Sequence, residues 1–380
     1  MFKNVIEEIK SHFPEGFIPL HVPVFVGNEK KYLNECIDST FVSSVGKFVD
    51  RFEADMKAIT GAKSVVATMN GTAALHIALH VLGVGLEDEV ITQPLTFVAT
   101  CNAIKYTGAT PVFVDVDLDT MGMCPKRLSA FLEEHCELKT GQCINKKTGK
   151  IIRACVPMHT FGFPCAIQEI VAVCKEWNIE VVEDAAESLG SWVGDQHTGT
   201  FGKLGVFSFN GNKIVTAGGG GCVVTNDIEL GKKLKHITTT AKEPHSWAYR
   251  HEVLGFNYRM PNINAALICA QLECLPQFLE QKRALATAYK LFFESQEMAF
   301  KWEQKGTTAN FWLNTVLLKD AAEKIAFLEA TNKNAVMTRP IWDLMTSLPM
   351  YPNTLEIPIP NATYLADRIV NIPSSVIFDK

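Results

Sequence analysis

A single lysine, Lys213, stands in a polar loop, Asn210-Gly211-Asn212, that follows a short apolar strand, and the glycine run Gly218 to Gly221 comes soon after it. Covalent catalysis by an amine requires a lysine whose nitrogen is held at a fixed position. A strand on one side and glycines on the other would hold Lys213 in this way. A solvated side chain in a flexible loop is the better interpretation of an arbitrary lysine, so the assignment depends on the other residues that the chain supplies.

An aspartate, Asp184, ends the apolar segment IEVVED. Ligands of open α/β sheets bind at the carboxyl ends of the strands, where Asp184 would lie. It could cap the next segment, or it could pair with a buried cation such as a pyridinium nitrogen. Pyridoxal phosphate uses the second arrangement, because a lysine holds the cofactor and an aspartate keeps its ring nitrogen protonated.

Other strand ends offer groups for a phosphate and a planar ring. Gly71 and Thr72 lie where a strand turns into a helix, and the N–H groups of a helix start suit an anion; a simple glycine turn with a threonine cap is an equal alternative. The Ser208 hydroxyl, shortly before Lys213, could reach the same phosphate. Phe97 could stack on a ring, although packing in the core is the commoner role of phenylalanine.

Two further titratable residues fall at the same predicted edge. Glu187 comes one helical turn after Asp184 and could contact a ring hydroxyl or the substrate. His159 ends the apolar segment ACVPMH and could face the crevice or be a hydrogen-bonded residue of a turn. Their common placement at predicted strand ends favours one site.

The segments that must position these residues alternate between apolar strands and helices. This alternation predicts βαβ units, and the continuous apolar character of the strands indicates a mostly parallel sheet that is covered on both faces. The predicted strands are 64–71, 89–97, 110–117, 151–159 and 179–186. The polar segment 137–150 between two of them is interpreted as a surface hairpin or loop.

The pattern changes near residue 255. A long helix is predicted over 262–295, with a kink or break at Pro276, and short strands and helices alternate beyond it. We therefore predict a large domain with an N-terminal segment over residues 1–254. Residues 255–380 are predicted to form the long helix and a smaller α+β domain.

Composition narrows the class of protein. The 380 residues are 47% hydrophobic and 20% charged, as in ordinary globular proteins, and the net charge of −5 offers no basic surface for nucleic acid. No apolar run is long enough to span a bilayer, and the acidic residues of the first segment, MFKNVIEEIKSHF, argue against a signal peptide. The eleven cysteines form no CxxC pair and no zinc-ligand grouping, so reduced thiols, a cytoplasmic location and no metal are expected.

With these motifs in order, the sequence resembles the DegT/DnrJ/EryC1/StrS aminotransferases, a nucleotide-sugar branch of the fold-type I pyridoxal phosphate enzymes. The ordered set is specific to that family, although no single motif is. The matching segments are NGTAAL (70–75), TFVATCNAI (96–104), PVFVDVD (111–117), HTFGFP (159–164), EDAAESLGS (183–191), GVFSFNGNKIVTAGGGG (205–221) and GFNYRMPNINAAL (255–267).

The resemblance implies an α/β fold whose large domain has a mostly parallel seven-stranded sheet. It also implies that Lys213 is the Schiff-base lysine, Asp184 the partner of the ring nitrogen, and Glu187 a neighbour of the ring oxygen. Gly71, Thr72 and Ser208 would hold the phosphate, and Phe97 would stack on the ring. Asn257 resembles an asparagine that reaches the phosphate of the neighbouring subunit, which implies a homodimer with shared active sites.

The implied reaction transfers an amino group, with glutamate as the donor, to the 4-keto group of a nucleotide sugar. Gly219 stands where many members have glutamate. The stretch FVSSVGKFVDRFE and the variant GNKIVTAGGGG look most like the branch acting on UDP-4-keto-6-deoxy-N-acetylhexosamines, in pathways to legionaminic acid or bacillosamine. Candidates for the nucleotide diphosphate are His245, Arg250, Arg259 and Arg339, each of which could instead be a surface ion pair. The alternatives are a deoxysugar dehydratase using the same cofactor, whose members have histidine at the lysine position, and a non-catalytic relative. Lys213 argues against the first, and Lys213 together with Asp184 argues against the second.

Overall fold

The computed structural model describes residues 2–351 and 355–377. Its α-helices are α1 (Lys3–Ser11), α2 (Glu29–Asp38), α3 (Lys47–Thr60), α4 (Gly71–Val81), α5 (Val98–Tyr106), α6 (Pro125–His135), α7 (Ile167–Glu176), α8 (Ile228–Thr238), α9 (Asn262–Ser295), α10 (Ala321–Lys333) and α11 (Pro360–Ala366). Its strands are β1 (Ser64–Thr68), β2 (Asp88–Thr92), β3 (Thr110–Phe113), β4 (Cys136–Lys139), β5 (Gln142–Asn145), β6 (Ile151–Val156), β7 (Glu180–Asp184), β8 (Trp192–Val193), β9 (Gln196–His197), β10 (Leu204–Ser208), β11 (Gly221–Thr225), β12 (Ala299–Phe300), β13 (Thr307–Thr308), β14 (Asn314–Leu317), β15 (Arg339–Pro340) and β16 (Ile369–Ile372).

The main sheet has the strand order β1-β11-β10-β7-β6-β2-β3. The pairs from β10 to β3 are parallel, whereas β11 runs antiparallel to both of its neighbours. The predicted mostly parallel seven-stranded sheet is confirmed, and the segment predicted as a surface hairpin forms β4 and β5, which extend the sheet beside β6. Because β7 and β10 are parallel neighbours, with Val206 opposite Asp184, Asp184 and Ser208 end at the same edge.

Helix α4 aims its N-terminus at that edge. Its sequence, GTAALHIALHV, is apolar almost all round, and such a helix is stable only when it is buried. It packs on β10, β11 and β7, with Ile77, Ala78 and Leu79 fully buried. The apolar sequence of α4 therefore places its first turn next to the strand ends.

A second, antiparallel sheet, β12-β14-β16-β15, lies in the C-terminal part of the chain. Its core also contains α1, since Ile9 packs in one cluster with Tyr289 and Val316. Helix α9 runs without a break across Pro276, so the predicted break does not occur. The division of the chain at residue 255 stays a prediction.

The C-terminal part also reaches back over the main sheet. The carboxylate of Asp115, just after β3, accepts hydrogen bonds at 2.9 Å from the backbone N–H groups of Asn361 and Ala362 and so caps α11. The Met345 N–H donates to the Pro94 carbonyl at 2.9 Å. These hydrogen bonds anchor Met345, which follows Trp342 closely in the chain, and the start of α11 to the main sheet. None of the helices over the described ranges is long and apolar enough to cross a membrane.

Candidate active site

A cavity of about 390 Å³ lies at the carboxyl ends of β7 and β10, beside the N-terminus of α4. Many residues that the sequence singled out line it together. They are Gly71, Thr72, Phe97, Asp184, Glu187, Ser208 and Lys213. The remaining predicted residues lie elsewhere in this chain and are described below.

Lys213 is not a solvated loop lysine. Its backbone N–H donates to the Asn210 carbonyl at 3.0 Å, and its side chain is only 12% exposed. The ammonium nitrogen Nζ lies 3.0 Å from Oε1 of Glu187 and 3.9 Å from the centroid of the Trp312 ring. An amine fixed by a carboxylate and an aromatic face meets the geometric requirement for covalent catalysis.

Asp184 forms a buried wall of the cavity. Its Oδ2 accepts a hydrogen bond from the Thr100 hydroxyl at 2.7 Å, and its Oδ1 accepts one from the Ala186 N–H at 3.2 Å. Burial raises the pKa of Asp184, and the two hydrogen bonds and the charge of Lys213 oppose that rise. A cationic partner in the cavity would therefore stabilise this carboxylate.

Glu187 links Lys213 to a strained backbone position. While its Oε1 contacts Lys213, its Oε2 accepts a hydrogen bond from the Phe161 N–H at 2.9 Å. Phe161 has a φ of 57°, a left-handed conformation that is rare for a bulky residue. Burial raises the pKa of Glu187, whereas the charge of Lys213 and the Phe161 N–H oppose the rise.

The first turn of α4 and the end of β10 form one cradle. The Asn70 side chain caps α4 by accepting from the Ala73 N–H at 2.7 Å, so Thr72 is not the cap, and Thr72 lines the cavity. A Cβ atom on Gly71 would lie 2.8 Å from the Cβ of Ser208 and 3.1 Å from its Oγ. Glycine at position 71 thus lets the helix start approach the Ser208 hydroxyl.

Aromatic side chains form the other walls. Phe97 precedes α5 and is 47% exposed, and its ring centroid lies 6.0 Å from that of Trp342. Trp342 also contacts Phe161 at 4.9 Å between centroids. Sequence reasoning missed Trp312 and Trp342, because neither stands at a strand end of the main sheet and only the fold brings them to the cavity.

A hydrogen-bond network fixes Trp312. Its indole N–H donates to the Asn212 carbonyl at 2.7 Å, and its backbone N–H donates to Oδ1 of Asn310 at 2.8 Å. The Asn310 amide in turn donates to the Glu187 carbonyl at 2.8 Å. Behind this segment the buried Lys282 ammonium donates to the Trp312 carbonyl at 3.1 Å. Hydrogen bonds thus connect Trp312 both to the loop that carries Lys213 and, through Asn310, to Glu187.

His159 does not face the cavity, which corrects its assignment as a substrate residue. Its ring is fully buried, Nδ1 accepts from the Cys165 N–H at 3.2 Å, and Nε2 lies 3.0 Å from Oε2 of Glu183. Because a backbone N–H points at Nδ1, the ring proton lies on Nε2. The Glu183 carboxylate also accepts from the N–H groups of Gly199, Phe201 and Gly202 at 2.6 to 2.7 Å. His159 is thus the hydrogen-bonded residue of a turn, the second of the two sequence interpretations.

The other substrate candidates and Asn257 lie outside the cavity of their own chain. Asn257 is exposed, and its Oδ1 accepts from Nε of Arg259 at 3.1 Å. Nδ1 of His245 accepts from the Ala248 N–H at 2.9 Å, and Arg250 and Arg339 are exposed.

The residues that line the cavity fit the chemical groups of pyridoxal phosphate. The close approach of Gly71 to Ser208, together with the helix N-terminus, offers donors for a phosphate. The buried carboxylate of Asp184 suits a protonated ring nitrogen, and Lys213 supplies the amine. Phe97 offers an exposed ring face at the same cavity.

The chain is similar to several bacterial proteins. The GDP-perosamine synthase of Escherichia coli O157:H7 is 38% identical over 358 residues, which cover 94% of this chain and 93% of that protein. The putative pyridoxal phosphate-dependent aminotransferase EpsN of Bacillus subtilis (strain 168) is 35% identical over 339 residues, or 89% of this chain and 84% of that protein. The crystal structure of the aminotransferase TlmJ from Streptoalloteichus hindustanus matches the fold with a TM-score of 0.86 at 25% identity, over 94% of each chain.

Residues 25–380 match the model of the DegT/DnrJ/EryC1/StrS aminotransferase family. The predicted enzyme class and cofactor are thereby confirmed. The chain belongs to this family of pyridoxal phosphate-dependent sugar aminotransferases.

Proposed function

We propose that this sugar aminotransferase converts a 4-keto-6-deoxy nucleotide sugar into the 4-amino sugar, with glutamate as the amino donor. The observation that carries the proposal is the placement of Lys213 Nζ, held 3.0 Å from Glu187 in the cavity that Asp184 also lines. An amine and a buried acid at one cavity are the two protein groups that pyridoxal phosphate chemistry requires.

Individual residues take distinct roles in this proposal. Asp184 would pair with the ring nitrogen, Gly71, Thr72 and Ser208 would bind the phosphate, and Phe97 would cover a ring face. When bound, the cofactor supplies an electron sink for negative charge at the reacting carbon. The hydrogen bond from Lys213 Nζ to Oε1 of Glu187 holds the lysine side chain near Glu187.

Lys213 would also carry the proton. Its neutral amine can accept a proton from the reacting carbon and return it, because proton transfer needs a base within hydrogen-bond reach. The face of Trp312 and Oε1 of Glu187 limit where Nζ can move. The aromatic walls made by Trp312 and Trp342 would exclude water around that transfer.

The nucleotide and the sugar are the finer part of the proposal. The lysine and glycine motifs favour a UDP-linked N-acetylhexosamine, of the kind used for legionaminic acid or bacillosamine. The 38% identical relative is named for a GDP-linked sugar, which supports GDP as the second candidate. His245, Arg250, Arg259 and Arg339 are proposed to bind the diphosphate in either case.

A homodimer would bring the distant candidates to the cavity. Asn257, His245 and Arg250 lie on an exposed stretch that also presents Trp247 and Tyr249, each 80% exposed. Large exposed aromatic side chains mark surfaces that associate with other proteins. In the proposed isologous dimer this stretch of each subunit completes the site of the other.

A substrate panel tests the proposal. The purified protein, loaded with pyridoxal phosphate, is incubated with glutamate and one 4-keto-6-deoxy sugar linked to UDP or GDP, and the amino sugar is measured by mass spectrometry. We expect product with one nucleotide series and none after Lys213→Ala. Lys203→Ala is the control, since Lys203 pairs with Asp227 outside the cavity. Amino transfer that survives in Lys213→Ala, or no product with any 4-keto sugar, would contradict the proposal.

A further inference from the structure

Thr100 contacts the acid of the site without lining the cavity itself. Its hydroxyl donates to Oδ2 of Asp184 at 2.7 Å, and both side chains are buried. Thr100 lies in the first turn of α5, directly behind Phe97, whose carbonyl accepts the Thr100 N–H at 3.1 Å. The helix that follows the ring-stacking position thus also carries the donor to Asp184.

A second hydroxyl stands behind the first. Oγ1 of Thr96 lies 3.0 Å from Oγ1 of Thr100 and 3.1 Å from Sδ of Met158, and Thr96 is fully buried. A threonine hydroxyl has a single proton to donate. With its proton directed at Asp184, Thr100 can only accept from Thr96, and Thr96 also has Sδ of Met158 as an acceptor. Thr100 therefore has one donor bond, to Asp184, with a second hydroxyl behind it.

The hydroxyl of Thr100 is a neutral donor, so it leaves the negative charge of the Asp184 carboxylate in place. A lysine or arginine at the position of Thr100 would cancel the carboxylate charge that a cationic ligand needs. A hydroxyl instead favours the ionised carboxylate by hydrogen bonding and leaves its charge available. It also leaves Oδ1, which accepts only the longer bond from Ala186, as the less satisfied oxygen.

We propose that Thr100 is a positioning residue that fixes the Asp184 carboxylate and keeps the shared proton on the ring nitrogen of the cofactor rather than on Asp184. The inference rests on the proposed function, since it requires Asp184 to face the ring nitrogen. It assigns Thr100 a role in tuning the electron sink, in addition to packing α5 against the sheet. Burial of Asp184 favours its protonated form, and the Thr100 hydroxyl opposes that tendency.

The test measures the proton directly. Wild type, Thr100→Val and Thr100→Ser are loaded with pyridoxal phosphate labelled with ¹⁵N in its ring, and the ring-nitrogen NMR shift is recorded at equal occupancy. We expect the shift of Thr100→Val to move toward that of unprotonated pyridine. Thr100→Ser retains a hydroxyl and should keep the wild-type shift.

Cofactor affinity gives a second readout. One hydrogen bond to a charged group is worth roughly a tenfold change in a binding constant, so Thr100→Val should bind pyridoxal phosphate about tenfold more weakly than wild type. Thr107→Val is the matched control, because Thr107 follows the same helix and its hydroxyl donates to the Ile104 carbonyl, away from Asp184. It should match wild type in both measurements.

The outcomes separate this inference from the proposed function. An unchanged ¹⁵N shift in Thr100→Val, or an equal change in Thr100→Ser, would overturn the role of Thr100 while the cofactor still binds. Should Thr100→Val not fold, Thr100→Ala is measured in the same way with the same expectation. A wild-type protein that binds no pyridoxal phosphate would instead refute the proposed function.

Discussion

The amino nitrogen of Lys213 lies 3.9 Å from the centroid of the Trp312 indole ring, although one residue follows β10 of the main sheet and the other precedes β14 of the C-terminal sheet. The same nitrogen lies 3.0 Å from Oε1 of Glu187. The position of the amine is therefore defined by both parts of the chain. A change in either part alters the placement of Lys213.

Removal of the Trp312 ring should slow capture of the cofactor by the apoprotein. The ring limits where the Lys213 amine can move, so without it the amine is positioned less well for attack and Trp312→Leu should lower the rate roughly tenfold. The rate is measured from the change in visible absorption after mixing apoprotein with pyridoxal phosphate. Trp342→Leu is the control, since Trp342 lines the same cavity but contacts Phe97 and Phe161. An equal loss in both variants would show that general packing, not the contact with Lys213, sets the rate.

Gly71→Ala should close the cradle between α4 and β10. The new Cβ would lie 2.8 Å from Cβ of Ser208, which is closer than a van der Waals contact allows. Overpacking of this kind costs about 1–3 kcal/mol, and we expect a loss of cofactor affinity of roughly fivefold to a hundredfold in a binding titration. In Gly85→Ala the new Cβ would meet no atom within 4 Å, so this control should bind normally. Unchanged affinity of Gly71→Ala would remove this cradle from the proposed phosphate site.

Asp184→Asn should stabilise the apoprotein at neutral pH while it weakens cofactor binding. Burial raises the pKa of Asp184 in the folded state above its value in the unfolded chain. The folded state then binds more protons than the unfolded state, so stability falls as the pH rises from about 4 through the raised pKa. Above the raised pKa the cost of the buried charge is fully present, and asparagine removes it.

Urea unfolding of both apoproteins between pH 4 and pH 7.5 measures this difference. The free energy of unfolding of Asp184→Asn should exceed that of wild type at pH 7, and the difference should shrink toward pH 4. If the variant is less stable than wild type at pH 7, the buried carboxylate of Asp184 does not destabilise the apoprotein, which would contradict this prediction.

Two inactive variants should restore activity when they are mixed, if the sites are shared between subunits. Lys213→Ala removes the amine of its own cavity, and Asn257→Asp places a negative charge where the partner's phosphate is expected. After unfolding and refolding together, half of the dimers are mixed and each has one intact site. The mixture should therefore recover roughly a quarter of wild-type activity in the aminotransferase assay. Equal mixtures that stay inactive would contradict the placement of Asn257 across the interface.

Local patterns predicted the alternating strands and helices and the candidate residues at the strand ends, whereas the family resemblance implied the seven-stranded sheet and the roles of those residues in one site. Continuous apolar strands and the apolar helix α4 are stable only when they are buried in the core. The carboxyl ends of parallel strands lie at one edge of the sheet. Asp184 and Ser208 end two neighbouring strands and Lys213 follows in the next loop, so their meeting needed no information on distant packing.

The remaining features depend on contacts between distant segments. Trp342 lies close in the chain to Met345, which bonds to Pro94, and Trp312 is held at the cavity by its hydrogen bond to the Asn212 carbonyl. His159 was placed at the correct strand end, but the buried Glu183 that binds its ring could not be foreseen from spacing. Pro276 was predicted to kink or break a helix that continues without a break through it.

Reduction with borohydride tests the central claim most directly. The protein loaded with pyridoxal phosphate is treated with borohydride and digested, and the peptides are mapped by mass spectrometry. We predict that the cofactor is found covalently attached to Lys213, that the visible absorption disappears on reduction, and that Lys213→Arg shows no attachment. Attachment at another lysine, or a wild-type protein that carries no reducible cofactor, would contradict the assignment of Lys213.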